Sequence, residues 1–249
     1  MTSPSDFRLT VIGCSGTYSS TESSCSSYLL RTAKTTLLLD AGPGSSMELQ
    51  RHVPLSDLDA IILSHEHSDH WTEMPILYHA YRYGLERLDV PVYGTEGTRV
   101  ALEAVSPEAN STAFSWTTID EASKLTIGDI DFSFSLTDHP VETLAILAES
   151  DGARIGYSAD TGPGWSPEAF DRDIDIFVYE TTLPEELEDA GIPHITGRQA
   201  GTRATAAGVG HLVITHLPPD HDATEREAST RTTFSGPISV AKPGLTVTA

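Results

Sequence analysis

The stretch that decides the fold lies in the first third of the chain and reads Ala60-Ile61-Ile62-Leu63-Ser64-His65-Glu66-His67-Ser68-Asp69-His70. Its first four residues are all apolar, which is typical of a buried strand in a layered α/β protein. After His70 the apolar residues recur at steps of three and four, which predicts a helix. The histidines therefore occupy a turn between the carboxyl end of a strand and a helix, where open α/β sheets bind their ligands.

Three histidines and one aspartate within six residues supply the ligand atoms that suit zinc and its neighbours. On an extended turn, His65 and His67 can point one way, while Asp69 and His70 point another way, toward a second metal. The alternative is a histidine-rich surface loop without a metal. We favour a metal site because further candidate ligands follow predicted strands downstream, and these are His139, Asp160 and His216.

Two metals about 3.5–4 Å apart would need about six protein ligands and a bridging group. We predict that one metal is held by His65, His67 and His139, and the other by Asp69, His70 and His216, with Asp160 between them. Asp40 ends another buried strand, where a carboxylate needs partners. We expect it to receive the spare N–H of a metal-binding histidine, and the alternative is a cap for the helix predicted over residues 45–53.

Composition narrows the class of protein. The 249 residues contain no linker-like tract, so we predict one domain over residues 1–249. The net charge of −21 argues against extended nucleic acid as a partner, although bound metal ions would still allow a small anionic substrate. No apolar run approaches the ~20 residues of a membrane span, so no membrane partner is expected. The opening residues lack the features of a signal peptide, which favours the cytoplasm.

The pattern of candidate ligands resembles the metallo-β-lactamase superfamily, whose signature is His-x-His-x-Asp-His. The family's early aspartate, third histidine, bridging aspartate and last histidine match, in order, Asp40, His139, Asp160 and His216. One small departure is Ser64, where threonine is common. The resemblance implies an α/β protein with a four-layer αββα sandwich and a dinuclear site along one edge. It also implies two divalent metal ions, with Zn²⁺ expected and Mn²⁺ or Fe²⁺ as alternatives.

Two motifs in the second half resemble the ribonuclease Z-like phosphodiesterase branch: Tyr179-Glu180-Thr181 and Pro193-His194-Ile195-Thr196. In that branch a Glu–His pair assists proton delivery to the leaving oxygen, and Glu180 and His194 match it. By residue type alone, both would be interpreted as structural. We therefore take Asp69, Glu180 and His194 as the candidate catalytic residues, with Asp69 serving as a metal ligand as well.

Ribonuclease Z carries a tRNA-gripping arm between its third histidine and its bridging aspartate. Only twenty residues separate His139 from Asp160 here, and a tight hairpin is predicted to fill them. The chain more closely resembles compact actinobacterial cyclic-nucleotide phosphodiesterases, notably at residues 10–16, 26–31 and 214–219.

The resulting hypothesis is a dinuclear-metal-dependent phosphodiesterase acting on a 3′,5′-cyclic nucleotide, with cyclic AMP as the leading candidate. Its partner would be a small anionic nucleotide, and analogy with the family suggests a homodimer. The alternatives are a ribonuclease Z-like RNA 3′-processing endonuclease, a thioester or lactone hydrolase on the same site, and a non-enzymatic metal-binding protein. Base preference stays open.

Overall fold

The computed structural model describes residues 6–249 and contains two mixed β-sheets. Residues 1–5, most of the opening segment behind the cytoplasmic expectation, lie outside the described residues. The first sheet is built from the early strands β1 (Arg8–Ser15), β2 (Ser24–Cys25), β3 (Ser27–Arg31), β4 (Thr36–Leu39), β5 (Ala60–Leu63), β6 (Val90–Gly94) and β7 (Phe114–Thr118). The later strands form the second sheet: β8 (Lys124–Ile127), β9 (Ile130–Leu136), β10 (Leu144–Ser150), β11 (Ala153–Tyr157), β12 (Ile176–Glu180), β13 (His211–Thr215) and β14 (Ile238–Val240).

The last strand, β15 (Thr246–Thr248), returns to the first sheet and pairs antiparallel with β1. The order of the first sheet is β15-β1-β3-β4-β5-β6-β7, with β2 beside β1, and that of the second is β14-β13-β12-β11-β10-β9-β8. Strands β4 to β7 are parallel to one another, and so are β11 to β14. Parallel strands bring their carboxyl ends to one edge of each sheet, which is the arrangement that can assemble a site from distant segments.

Helices cover the outer faces of both sheets. They are α1 (Ser45–His52), α2 (Ser68–Trp71), α3 (Met74–His79), α4 (Glu96–Val105), α5 (Ala109–Thr112), α6 (Gly197–Ala206) and α7 (Ala223–Arg231). Short 3₁₀ turns occur at Leu55–Asp57, Pro167–Phe170 and Glu185–Leu187, and a π-helical turn at Ala80–Gly84. Within the described residues, no helix is long and apolar enough to cross a membrane.

Three hydrophobic cores separate four layers. The central core lies between the sheets and includes Ile62 of the first sheet and Val178 of the second. An outer core packs α1, α3 and α4 against the first sheet, and another packs α6 against the second sheet through Ala200 and Ala204. The αββα sandwich expected from the resemblance is confirmed.

The helix predicted after the histidine cluster is interrupted. The backbone N–H of Glu73 donates to the carbonyl of Ala41 at 3.0 Å, and Pro75 has no N–H to donate. The chain therefore forms the short helices α2 and α3 and then the π-helical turn. In return, the Ala41 N–H donates to the carbonyl of His70 at 2.7 Å, so the turn after β4 is tied to the histidine cluster.

Candidate metal centre

The predicted site residues meet at one edge of the sandwich because each follows the carboxyl end of a strand. The histidine cluster follows β5, and Asp40 follows β4. On the second sheet, His139 lies after β9, Asp160 after β11 and His216 after β13. Two residues here have a left-handed backbone conformation: Ala159, which precedes Asp160, has a φ of 51°, and His216 itself has a φ of 61°. Such left-handed residues are costly and cluster at functional sites.

The candidate ligand atoms form two groups, each with its atoms within 4.8 Å of one another. The first group is His65, His67, His139 and Asp160, and the second group is Asp69, His70 and His216. Asp160 lies between them: its Oδ1 is 3.2 Å from His70 Nε2 and 3.3 Å from His216 Nε2, while its Oδ2 is 3.6 Å from His65 Nε2. The structure thus brings together all seven candidate metal ligands that the sequence singles out, in the predicted grouping.

The donor atoms of the two groups fit divalent metal ions. His65 Nε2 and Asp160 Oδ1 are buried and make no hydrogen bond, which is costly for a polar atom in a folded protein. In addition, His139 Nε2 lies 2.9 Å from His67 Nδ1. Converging imidazole nitrogens beside a carboxylate are the ligand set of zinc and related ions. These residues therefore form a cluster able to bind metal.

Asp40 orients one of the histidines. Its Oδ2 accepts from His70 Nδ1 at 2.7 Å, which is the contact that the sequence predicts. The alternative role as a cap for α1 is not formed, because the residue before that helix is Gly44 and no side chain caps it. Two further donors were not predicted: the hydroxyl groups of Ser64 and Tyr157 each donate to Asp40 Oδ2 at 2.8 Å. Together they hold the His70 ring with Nε2 facing the site.

The Glu180–His194 pair lies beside both ligand groups. Glu180 is buried at the end of β12, and its Oε1 accepts from His194 Nδ1 at 2.9 Å and from the Thr161 N–H at 2.7 Å. The His194 ring centroid is 5.4 Å from that of His139 and 5.7 Å from that of His216. Asp160, His194 and His216 also each offer a ligand atom within 4.8 Å of the other two, so His194 reaches the same centre.

Charge and burial shift the pKa values of these groups in opposite directions. Burial alone would lower the pKa of His194, but the Glu180 carboxylate raises it to about 9. Burial lowers the pKa of His65 to about 4, which keeps that imidazole neutral and available as a ligand. Burial would raise the pKa of Asp160, but His216 and His70 hold it well below its usual range.

The His194 shift predicts a pH effect on the metal-stripped protein. Because its folded pKa lies above the unfolded value, the pair contributes stability that is fully present below about pH 6.5 and is lost as the pH rises through about 9. Between pH 6 and pH 10, wild type should lose on the order of 3 kcal/mol more unfolding free energy than Glu180→Gln. Urea unfolding at both pH values measures this, with the exposed Glu121→Gln as control. Identical pH profiles for wild type and Glu180→Gln would contradict the prediction.

The segment after β1 also positions ligands. The Thr17 N–H donates to Asp69 Oδ2 at 2.8 Å. Gly16 bonds through its N–H to the carbonyl of Leu217 at 3.1 Å, and the His216 N–H donates to the carbonyl of Cys14 at 3.0 Å. The end of β1 therefore crosses from the first sheet to the end of β13. The sequence does not point to these contacts, because the donor in each of them is a backbone N–H group, which every residue except proline has.

Gly16 leaves no space for a side chain. A Cβ there would lie 2.6 Å from the His216 carbonyl oxygen and 2.8 Å from His216 Nδ1. We expect Gly16→Ala to displace His216 and to weaken metal affinity about 10–100-fold, as for other residues that orient metal ligands. Competition with a chromophoric chelator measures this. Gly84→Ala is the control, since a Cβ at Gly84 meets nothing within 4 Å. Equal affinities for the two variants would refute the expectation.

With this geometry in place, comparison with known proteins assigns the family. Residues 35–217 match the model of the β-lactamase superfamily domain. The chain belongs to this superfamily. It is 29% identical over 244 residues to the probable metallo-hydrolase YhfI of Bacillus subtilis, covering 96% of this chain and 98% of that protein. The crystal structure of YhfI superimposes with a TM-score of 0.89 at 26% identity, covering 98% of this chain and 99% of YhfI.

Two other relatives extend this result. An uncharacterized protein of Mycobacterium tuberculosis is 31% identical over 241 residues, covering 93% of this chain and 88% of that protein. Ribonuclease Z of Myxococcus xanthus is 24% identical over 298 residues, covering 96% of this chain and 97% of that enzyme. The resemblance to the ribonuclease Z-like branch is confirmed, and the chain is a metal-dependent hydrolase.

Proposed function

We propose that this chain is a dinuclear-metal-dependent phosphodiesterase that hydrolyses a 3′,5′-cyclic nucleotide, with cyclic AMP as the substrate. The observation that carries the proposal is the Glu180–His194 hydrogen bond of 2.9 Å, held beside two metal-ligand groups with Asp160 between them. Two divalent ions at these groups would supply a nucleophile at neutral pH and stabilise the charge that develops on the phosphate. Zinc is the metal that we propose, because of the imidazole-rich ligand set.

The protein's own residues supply the other half of the reaction. Breaking a phosphodiester expels an alkoxide, which needs a proton as it leaves. With Nδ1 bound to Glu180, His194 keeps Nε2 as the atom that can give this proton to the ribose oxygen. The raised pKa of His194 keeps the imidazole protonated at neutral pH. Glu180 then stabilises the charged form and fixes the direction of the ring.

A small substrate is favoured over a folded RNA. The segment between His139 and Asp160 is filled by β10, the turn Asp151-Gly152 and β11, so it lies within the second sheet. The net charge of −21 would also repel a polyanion. The similarity to Ribonuclease Z keeps RNA 3′ processing as the second candidate.

Two further alternatives predict different behaviour at the site. A thioester or lactone hydrolase would expel a group that depends little on the Glu180–His194 pair, so its activity would survive loss of that pair. A non-enzymatic metal-binding protein would bind metal and leave every substrate intact.

The test is turnover by the metal-loaded protein of cyclic AMP, cyclic GMP, a tRNA precursor, a thioester, a lactone and bis(p-nitrophenyl) phosphate. Wild type and His67→Ala would be compared with defined Zn²⁺ or Mn²⁺. We expect cyclic AMP turnover in wild type that is lost in the variant. Faster cleavage of the tRNA precursor would favour RNA processing, and turnover of the p-nitrophenyl diester alone would overturn the proposed substrate. Hydrolysis confined to the thioester or lactone would overturn the reaction class.

A further inference from the structure

A chain of buried hydrogen bonds joins the Glu180–His194 pair to His216, and Thr182 is its middle member. The Thr182 hydroxyl lies 2.6 Å from Glu180 Oε2 and 2.8 Å from His216 Nδ1. The other oxygen of Glu180 accepts from His194 Nδ1. Thr182 is 7% exposed, and Glu180 is fully buried. A single hydroxyl group thus separates the proton-delivering pair from a candidate metal ligand.

The chemistry of the hydroxyl group decides the direction of these bonds. A threonine hydroxyl has one proton to donate, and the Glu180 carboxylate can only accept. Thr182 therefore donates to Glu180, with the His216 carbonyl, 3.2 Å away, as the farther and uncharged competitor. The hydroxyl then accepts from His216 Nδ1–H. In that tautomer His216 Nε2 carries the lone pair, 3.3 Å from Asp69 Oδ2 on the site side.

The other tautomer of His216 breaks this chain. With the proton on Nε2, His216 Nδ1 becomes an acceptor, and Thr182 cannot donate to both Nδ1 and Glu180 with its one proton. The His216 Nε2–H can donate to Asp69 Oδ2 at 3.3 Å, but either Glu180 loses a charge-assisted donor or His216 Nδ1 stays unpaired, and both states are costly in a buried network. If His216 Nε2 held a metal ion, that nitrogen could not carry the proton, so the Nδ1–H tautomer and the intact chain would be selected.

We propose that Thr182 is a positioning residue that couples metal binding at His216 to the orientation of the Glu180–His194 pair. The role of that pair in proton delivery rests on the proposed function, but the coupling itself does not. The sequence motif pointed to Glu180 and stopped short of Thr182, because this hydroxyl acts through two other side chains.

Metal affinity of the full chain provides a readout that needs no substrate. Zn²⁺ affinity would be measured by chelator competition for wild type, Thr182→Val and Thr182→Ser. We expect Thr182→Val to bind Zn²⁺ about tenfold more weakly, since removal of an outer hydrogen-bond partner has this effect, and Thr182→Ser to restore affinity. The matched control is Thr181→Val, whose buried hydroxyl donates to the Thr215 carbonyl and lies outside the chain. Circular dichroism would establish that each variant is folded, and Thr182→Ala would replace a valine variant that is not.

A double-mutant cycle with Glu180→Gln isolates the coupling. Glu180→Gln should weaken Zn²⁺ affinity in the Thr182 background and leave it unchanged in the Thr182→Val background. Equal effects in both backgrounds, or wild-type affinity for Thr182→Val, would overturn the proposal. Turnover of cyclic AMP by the same variants tests the proposed function separately from the coupling. A wild type that binds metal but hydrolyses no diester would refute the proposed function, and the double-mutant cycle would still decide the coupling.

Discussion

Asp160→Asn is expected to lower diester hydrolysis at least about 10³-fold, because a two-metal site supplies several kcal/mol to the transition state and about 4 kcal/mol corresponds to this factor. Asp160 is a member of the first ligand group and lies directly beside the second, within 3.3 Å of the Nε2 atoms of His70 and His216. Its two oxygens face different groups, with Oδ1 3.2 Å from His70 Nε2 and Oδ2 3.6 Å from His65 Nε2. An amide offers one neutral oxygen and a nitrogen that cannot bind a cation, so it cannot join the groups.

The measurement is steady-state turnover together with metal content after dialysis. Asp151→Asn is the matched control, since this exposed aspartate makes the same change of charge in the turn at the opposite end of β11. The control should retain wild-type turnover and metal content. If Asp160→Asn kept two bound metals and turnover within tenfold of wild type, the assignment of Asp160 as the shared ligand would be wrong.

His194→Ala is expected to lower cyclic AMP hydrolysis about 10²–10⁴-fold, which is the usual contribution of a positioned general acid. The effect should depend on the leaving group. Cyclic AMP expels a ribose alkoxide that needs a proton, whereas bis(p-nitrophenyl) phosphate expels a phenolate that is stable without one. We therefore expect the p-nitrophenyl diester to lose less than about tenfold. This selectivity follows from the position of His194, which contacts the ligand rings and is held by Glu180.

For His194 to act as the general acid and not as a metal ligand, metal content must be unchanged in His194→Ala. This has to be measured because Asp160, His194 and His216 also lie close enough to share an ion. Equal losses on both substrates, together with loss of metal, would show that His194 is a ligand. His79→Ala serves as the control. His79 is an exposed histidine on α3, and its Nδ1 hydrogen-bonds to the backbone carbonyl of Pro75.

Where periodicity and turn signals agree, the sequence predicts the bounds of the elements that carry the site accurately. Strand β5 has the predicted bounds, and the Asp40–His70 contact is as expected. The apolar periodicity after His70 predicts a helix. It is interrupted because the Glu73 N–H bonds to Ala41 on another segment, and this competition is invisible to local periodicity.

The sequence by itself determined the class of fold and the candidate ligands. His65, His67, Asp69 and His70 lie within six residues of one another, so the covalent geometry of the chain limits how far apart their side chains can be. Only the tertiary structure decided which residues support them. Tyr157 reaches Asp40 across 117 positions, and Thr182 reaches His216 across 34. Such contacts depend on how two sheets pack, and a hydroxyl that orients a ligand has no pattern of its own in the sequence.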